Sequence, residues 1–254
     1  MGKKLPKPLT PRELNQMREN ARIHKKVLDK IVEVVKPWTT AVEMDQLAWK
    51  ITRDAGYLCA FRGQYWFPAN LCVSVNDVVA HGVPHKDLVF KEWDLVNFDF
   101  WVKDKKLWIY TDSWVTVVIW GEDKNPVWAD MIKVNKQALY AGIAQARAGN
   151  TVWDIWAAIQ KVVEDAWYHI IRDLSGHGVW RKVHEEPYIY NYGTPGTWLK
   201  LKAWMTIAIE PLIWETSGEI YEDGGFEIFV WDNSLGCQYE HTILITEGDA
   251  EIII

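Results

Sequence analysis

Four carboxylates and one imidazole stand in contexts where a folded chain seldom leaves such groups without a partner. In Leu95-Val96-Asn97-Phe98-Asp99-Phe100 an apolar run carries Asn97 and Asp99, which strand periodicity places on one face. Asp112 follows on the return strand of the same hairpin, with the turn expected around Asp104-Lys105-Lys106. If Lys103 pairs with Trp108, Asp99 falls directly opposite Asp112, and opposed carboxylates destabilise a sheet unless a cation lies between them. Thr206-Ile207-Ala208-Ile209-Glu210-Pro211 ends an apolar strand in a carboxylate, and Gln238-Tyr239-Glu240-His241-Thr242-Ile243-Leu244 embeds another. Burying an ionised carboxylate is costly unless it is paired or bound to a cation. His177 lies between Gly176 and Gly178, whose missing side chains let the backbone approach another element. Taken singly, these features also fit wet sheet faces and unrelated salt bridges. Together, oxygen and imidazole donors without sulfur suit divalent cations, and Co, Mn, Fe and Zn all accept them. Bridging carboxylates allow two ions about 3.5–4 Å apart, as in two-metal hydrolytic sites.

The elements that must position these groups are legible. Thr10-Pro11-Arg12-Glu13 is a capping box with proline at the first helical position, and apolar residues recur at helical spacing from Leu14 to Val35. Lys36-Pro37 ends that helix. Thr40-Ala41-Val42-Glu43 opens a second, expected to stop near Gly56. Strands are expected from about 57 to 119, helices over about 127–147 and 152–166, and strands again from His169 onward. Two helices then strands, repeated, implies two structurally related halves within a single domain, 1–254, of α/β (α+β) class. Residues 1–9, with Lys3, Lys4 and Lys7, read as a flexible basic tail.

Composition limits the partners. The 254 residues are 49% hydrophobic and 24% charged, as in an ordinary globular protein. A formal net charge of −6 argues against general nucleic-acid binding. No apolar run suggests a signal peptide or a membrane span. Cys59, Cys72 and Cys237 form neither a CxxC pair nor an even disulfide set, which suits a reducing cytoplasm. Cys59 and Cys72 are expected as small core hydrophobes.

Several segments, in order, resemble the type I methionine aminopeptidases: Asn76-Asp77-Val78-Val79-Ala80-His81-Gly82-Val83-Pro84, Asn97-Phe98-Asp99, Thr111-Asp112-Ser113, Gly176-His177-Gly178, His184-Glu185-Glu186-Pro187, Ile209-Glu210-Pro211 and Gln238-Tyr239-Glu240-His241-Thr242. The resemblance spans nearly the whole chain. It implies the pita-bread fold, two pseudo-symmetric halves with antiparallel sheets and outer helices. It also implies a dinuclear centre with Asp99, Asp112, His177, Glu210 and Glu240 as ligands, Asp112 and Glu240 bridging. The activity implied is removal of the initiator methionine ahead of a small second residue. Metal-activated water would attack the carbonyl, Glu210 would handle its proton, and His81 and His184 would bind substrate and steady the tetrahedral intermediate. The substrate amine would meet the metal carried by Asp99. Phe67, Cys72 and Phe226 match the methionine side-chain pocket, with departures at Gln64 and Val183, where the family has larger aromatic residues. His24, His85 and His169 are expected to be structural or on the surface, and His241 to support a ligand from behind. The family further implies a cytoplasmic monomer acting on the N-termini of nascent polypeptides, with the ribosome as a further candidate partner and no specific nucleic acid or membrane partner. A proline-specific dipeptidase or aminopeptidase of the same fold would share the ligands but usually carries an additional N-terminal domain. A catalytically impaired binding protein would normally have lost ligands.

The tryptophans are anomalous. There are 17, and Trp38, Trp66, Trp93, Trp153, Trp156, Trp167, Trp180, Trp198 and Trp204 fall where the family pattern has glycine. Several are at expected turns or helix ends, where glycine supplies positive φ without strain. Such a pattern fits a source in which the codon UGA specifies glycine. As tryptophans, Trp66 and Trp180 are expected to crowd the active site.

Overall fold

The computed structural model describes residues 8–190, 192–216 and 218–254. Helix α1, Pro11–Val34, starts on the expected box: the Thr10 side chain accepts from the Glu13 N–H while Glu13 accepts from Thr10. Most of the tail read over 1–9 lies outside the described residues, but Leu9 is buried with Leu14, Met17 and Trp180. An apolar residue just before the cap packing on one at the fourth helical position is a hydrophobic staple, so the chain is anchored from Leu9. Helix α2, Ala41–Asp54, has the same box at Thr40 and Glu43. Helices α3, Pro126–Gln145, and α4, Val152–Asp165, fall where the apolar spacing predicts them.

Each helix pair backs an antiparallel sheet. The first joins Leu58–Cys59, Leu95–Lys103, Cys72–Val75 and Tyr110–Val118; α1 and α2 pack on it through Val27, Ile31, Met44, Phe90, Phe98 and Phe100. The second runs Glu251–Ile252, His241–Leu244, Thr206–Ile209, Ser175–Gly178, Glu185–Tyr190; α3 and α4 cover it through residues including Leu139, Trp156, Ile159, Ile207 and Ile243. Backbone and hydroxyl bonds join the halves along one seam. The Asp112 N–H donates to Thr242 Oγ1 at 3.0 Å, and the Thr242 hydroxyl returns to the Asp112 carbonyl at 2.7 Å. Ser113 Oγ donates to the Glu240 carbonyl, and Thr116 exchanges bonds with the Gln238 backbone. Val78–Ala80 from the first half also pairs with Ile228–Val230 from the second. The repeated order of elements therefore becomes two halves meeting along the hairpin that carries Asp99 and Asp112 and the segment 236–244 that carries Glu240. No helix among the described residues is long and apolar enough to cross a membrane.

The hairpin register differs from expectation. Lys103 pairs with Tyr110, so Asp99 faces Trp114 and Asp112 faces Trp101. The cause is Asp104, whose carboxylate accepts the backbone N–H groups of Lys106, Leu107 and Ile109 and holds open a longer loop. Asp99 and Asp112 become diagonal neighbours on one face, which still brings them together.

Of the nine tryptophans expected at glycine-like positions, six have positive φ; Trp153, Trp156 and Trp180 do not. Trp108 and Trp120 do, and the sequence pattern missed both. Left-handed backbone costs a side-chain-bearing residue roughly 1–2 kcal/mol.

Candidate metal centre

The five proposed ligands arrive from five separate strands or strand ends. Asp99 and Asp112 come from the hairpin, His177 from Ser175–Gly178, Glu210 from the end of Thr206–Ile209, and Glu240 from the link between Gly236–Gln238 and His241–Leu244. All five are buried. The glycines around His177 do what was expected of them. A Cβ at Gly176 would lie 2.4 Å from the Ala208 carbonyl oxygen, and one at Gly178 would lie 2.4 Å from that of Glu186. Their absence lets neighbouring strands close on the imidazole. Nδ1 lies 3.2 Å from the Gly178 carbonyl, leaving Nε2 turned to Glu210 Oε1 at 3.5 Å and Asp112 Oδ2 at 3.6 Å.

The cluster lacks the partners that buried charge requires. Among the described residues, both oxygens of Asp99, both of Glu240 and Oδ1 of Asp112 meet no hydrogen-bond partner. One donor atom each from Asp99, Asp112 and Glu240 lies within 4.8 Å of the others, as do donors from His177, Glu210 and Glu240. Burial pushes the carboxyls up, Asp112 to about 8, and neighbouring carboxylates add to the rise at Asp99, Glu210 and Glu240. Burial, and then His184, pushes His177 well down. Acids that resist ionisation beside an imidazole that resists protonation suit a site for added positive charge; a bound cation would ionise the acids and keep the imidazole neutral. The donor set fits divalent metal.

Above the cluster lies a cavity of about 230 Å³ whose walls include His81, Asp99, Trp101, His177, His184 and Glu210. His81 has φ of 58°, beyond the strand Val78–Ala80, with Gly82 pressed so closely on Val73 that a Cβ would meet its carbonyl at 2.1 Å. His184 stands edge-on to His177 at 4.4 Å, and burial pushes it down to about 4. Both histidines therefore face the cleft as expected and are neutral at pH 7. His184 also lies within 4.8 Å of donors on Asp112 and His177, so geometry alone permits it to ligate.

Other expectations change. Phe67, Cys72 and Phe226 do come together, but with Trp101 among them, whose indole stacks on Phe61 at 3.6 Å and meets His184 edge-on at 5.2 Å. The slot they were expected to form is filled, and none of the three lines the open cavity. The smaller Val183 packs in the same cluster, where a larger residue would compete with Trp101 for space. Trp66 is exposed and Trp180 is buried against α1, so neither crowds the cavity; Trp101 and Trp114 do. His241 packs on Tyr140 of α3 and its ring also meets the backbone of Glu240 and Ile254, so it touches the ligand's backbone rather than its carboxylate. His24 is buried, with Nδ1 3.1 Å from Thr111 Oγ1; His85 and His169 are exposed. Tyr65 and Tyr188 line the cavity and were missed. Tyr188 shares a strand face with Glu186, a signal that period two could have supplied.

The sequence profile of metallopeptidase family M24 matches residues 15–247. A methionine aminopeptidase A of Synechocystis sp. is 33% identical over 246 residues, covering 96% of each chain. The methionine aminopeptidase of Escherichia coli is 32% identical over 249 residues, 96% of this chain and 92% of that one. The chain belongs to the methionine aminopeptidases of family M24. Solved methionine aminopeptidases from Rickettsia prowazekii and Thermotoga maritima superpose with TM-scores of 0.93 at 32% and 35% identity, each covering 98% of this chain and 99% of that one. A prolidase from Pyrococcus horikoshii, 18% identical with a TM-score of 0.74, shares the fold alone. Membership of M24 brings divalent metal use with it, in agreement with the donor set.

Proposed function

We infer that the chain removes the N-terminal methionine from polypeptides with a small second residue, using two divalent cations held by Asp99, Asp112, His177, Glu210 and Glu240. The observation that carries this is the convergence of four buried carboxylates, with unpartnered oxygens on three of them, around one imidazole at the floor of a cavity. Cations bound there would polarise the scissile carbonyl and lower the pKa of water. Glu210, at the cavity wall, takes the proton of the attacking water and returns it to the leaving amine. His81 and His184, neutral at pH 7, donate N–H bonds to the oxygen on which charge develops. Asp99 marks the end of the cluster that receives the free amine. Phe67, Cys72 and Phe226 surround an apolar slot, now occupied by Trp101, that would take the methionine side chain once the indole is out of it and would disfavour a charged first residue. The chain acts in the cytoplasm as a monomer on nascent chains, where such N-termini arise.

The test is kcat/KM for Met-Ala-Ser, Leu-Ala-Ser and Lys-Ala-Ser on the metal-loaded Trp101→Gly variant, whose slot is open. Met-Ala-Ser is expected to be cut well above the other two. Equal rates would leave a two-metal aminopeptidase without the methionine preference.

A further inference from the structure

Twelve described non-glycine residues have positive φ, and eight are tryptophan: Trp38, Trp66, Trp93, Trp108, Trp120, Trp167, Trp198 and Trp204, at 61–85°. The other four are two asparagines, Tyr65 and His81. Asparagine tolerates this region; a bulky side chain there is an outlier. Strained backbone persists when its surroundings over-determine it, usually at a functional site. These eight side chains are 49–89% exposed, so packing does not hold them there. What they share with the chain's seven positive-φ glycines is the backbone alone.

The two halves supply an internal control. At the end of α2, the Gly56 N–H donates to the Arg53 carbonyl and the Tyr57 N–H to that of Thr52, with Gly56 at φ 85°. At the end of α4, the Trp167 N–H donates to the Glu164 carbonyl and the Tyr168 N–H to that of Val163, with Trp167 at φ 64°. Both are the same Schellman ending, which calls for glycine at its left-handed position. One half has glycine there. The other has tryptophan, 89% exposed.

Eight independent replacements by one bulky residue, all at left-handed positions, would each be selected against. A single codon assignment explains them together, because genetic codes that depart from the standard one can give UGA to tryptophan or to glycine. We propose that these eight codons are UGA, that UGA specifies glycine in the source of this protein, and that glycine occupies the eight positions in the cell. The tryptophan-bearing chain is the product of the other assignment. The inference stands on backbone conformation and is independent of the catalytic reading.

Two measurements test it. Peptide mass spectrometry of the protein from cells carrying the gene should find glycine at the eight positions; tryptophan at them overturns the proposal, as do UGG codons in the gene. Separately, the chain made with tryptophan throughout is compared by thermal unfolding with the variant carrying Trp→Gly at all eight sites. Relief of about 2 °C per site adds to a rise in Tm on the order of 15 °C. An unchanged or lower Tm overturns the claim that these positions demand glycine. Neither readout depends on enzymatic activity.

Discussion

Replacing Trp101 by glycine should open the slot that the methionine side chain needs. The indole is 3% exposed and fills the space between Phe61, Phe67, Cys72 and Val183. Its ring centroid lies 3.6 Å from that of Phe61, closer than the roughly 4.5–7 Å usual for aromatic pairs, so the cluster is crowded. Fully burying a methionine side chain is worth about 1.5–3 kcal/mol. At about 1.4 kcal/mol per tenfold, opening the slot should raise kcat/KM for Met-Ala-Ser by about 10–100-fold. Ala-Ala-Ser has no side chain to place there and serves as the comparison, with metal content and circular dichroism checking that both proteins are loaded and folded. An equal gain on the two peptides, or none on Met-Ala-Ser, would refute the reasoning that Trp101 plugs the slot.

Other perturbations address the cluster. Asp99→Asn should weaken metal binding and abolish turnover, yet raise the Tm of the metal-free protein at pH 8, because it removes a buried carboxylate without a hydrogen-bond partner; calorimetric metal titration and thermal unfolding check both. His81→Ala or His184→Ala should lower kcat on the order of 100-fold with metal content unchanged; loss of metal in the His184 variant would make it a ligand. The buried carboxyls are raised in the fold, Asp112 from 3.8 to about 8, so their ionisation penalises folding. The metal-free protein should therefore keep this stability below about pH 4 and lose it as pH rises toward 8, while the metal-loaded protein shows little of that slope; Tm against pH with and without chelator measures it.

How much was legible depended on whether the signal was local. Thr10 with Glu13 and Thr40 with Glu43 fix helix starts by side-chain bonds spanning three residues, and both formed as read. Glu210, Glu240 and Asp99 announced themselves as carboxylates in apolar strands, and Gly176 and Gly178 as a place of close approach. The hairpin register failed because Asp104 organises its own loop, a contact that periodicity does not encode. Trp101 in the slot and His241 against Tyr140 depend on which distant element each side chain meets. Trp108 and Trp120 escaped notice because their left-handed backbone arises from the loop and strand end they occupy.

The most direct measurement of the central claim is the release of free methionine from Met-Ala-Ser as metal-free protein is titrated with Mn²⁺, followed by chelation. The Trp101→Gly variant is run in parallel, so that a filled slot is not mistaken for an absent activity. Methionine release should rise with bound cation, approach its maximum as the second ion binds, and vanish on chelation. Release that persists without divalent cation, or its absence from both proteins when fully loaded, would contradict a two-metal methionine aminopeptidase.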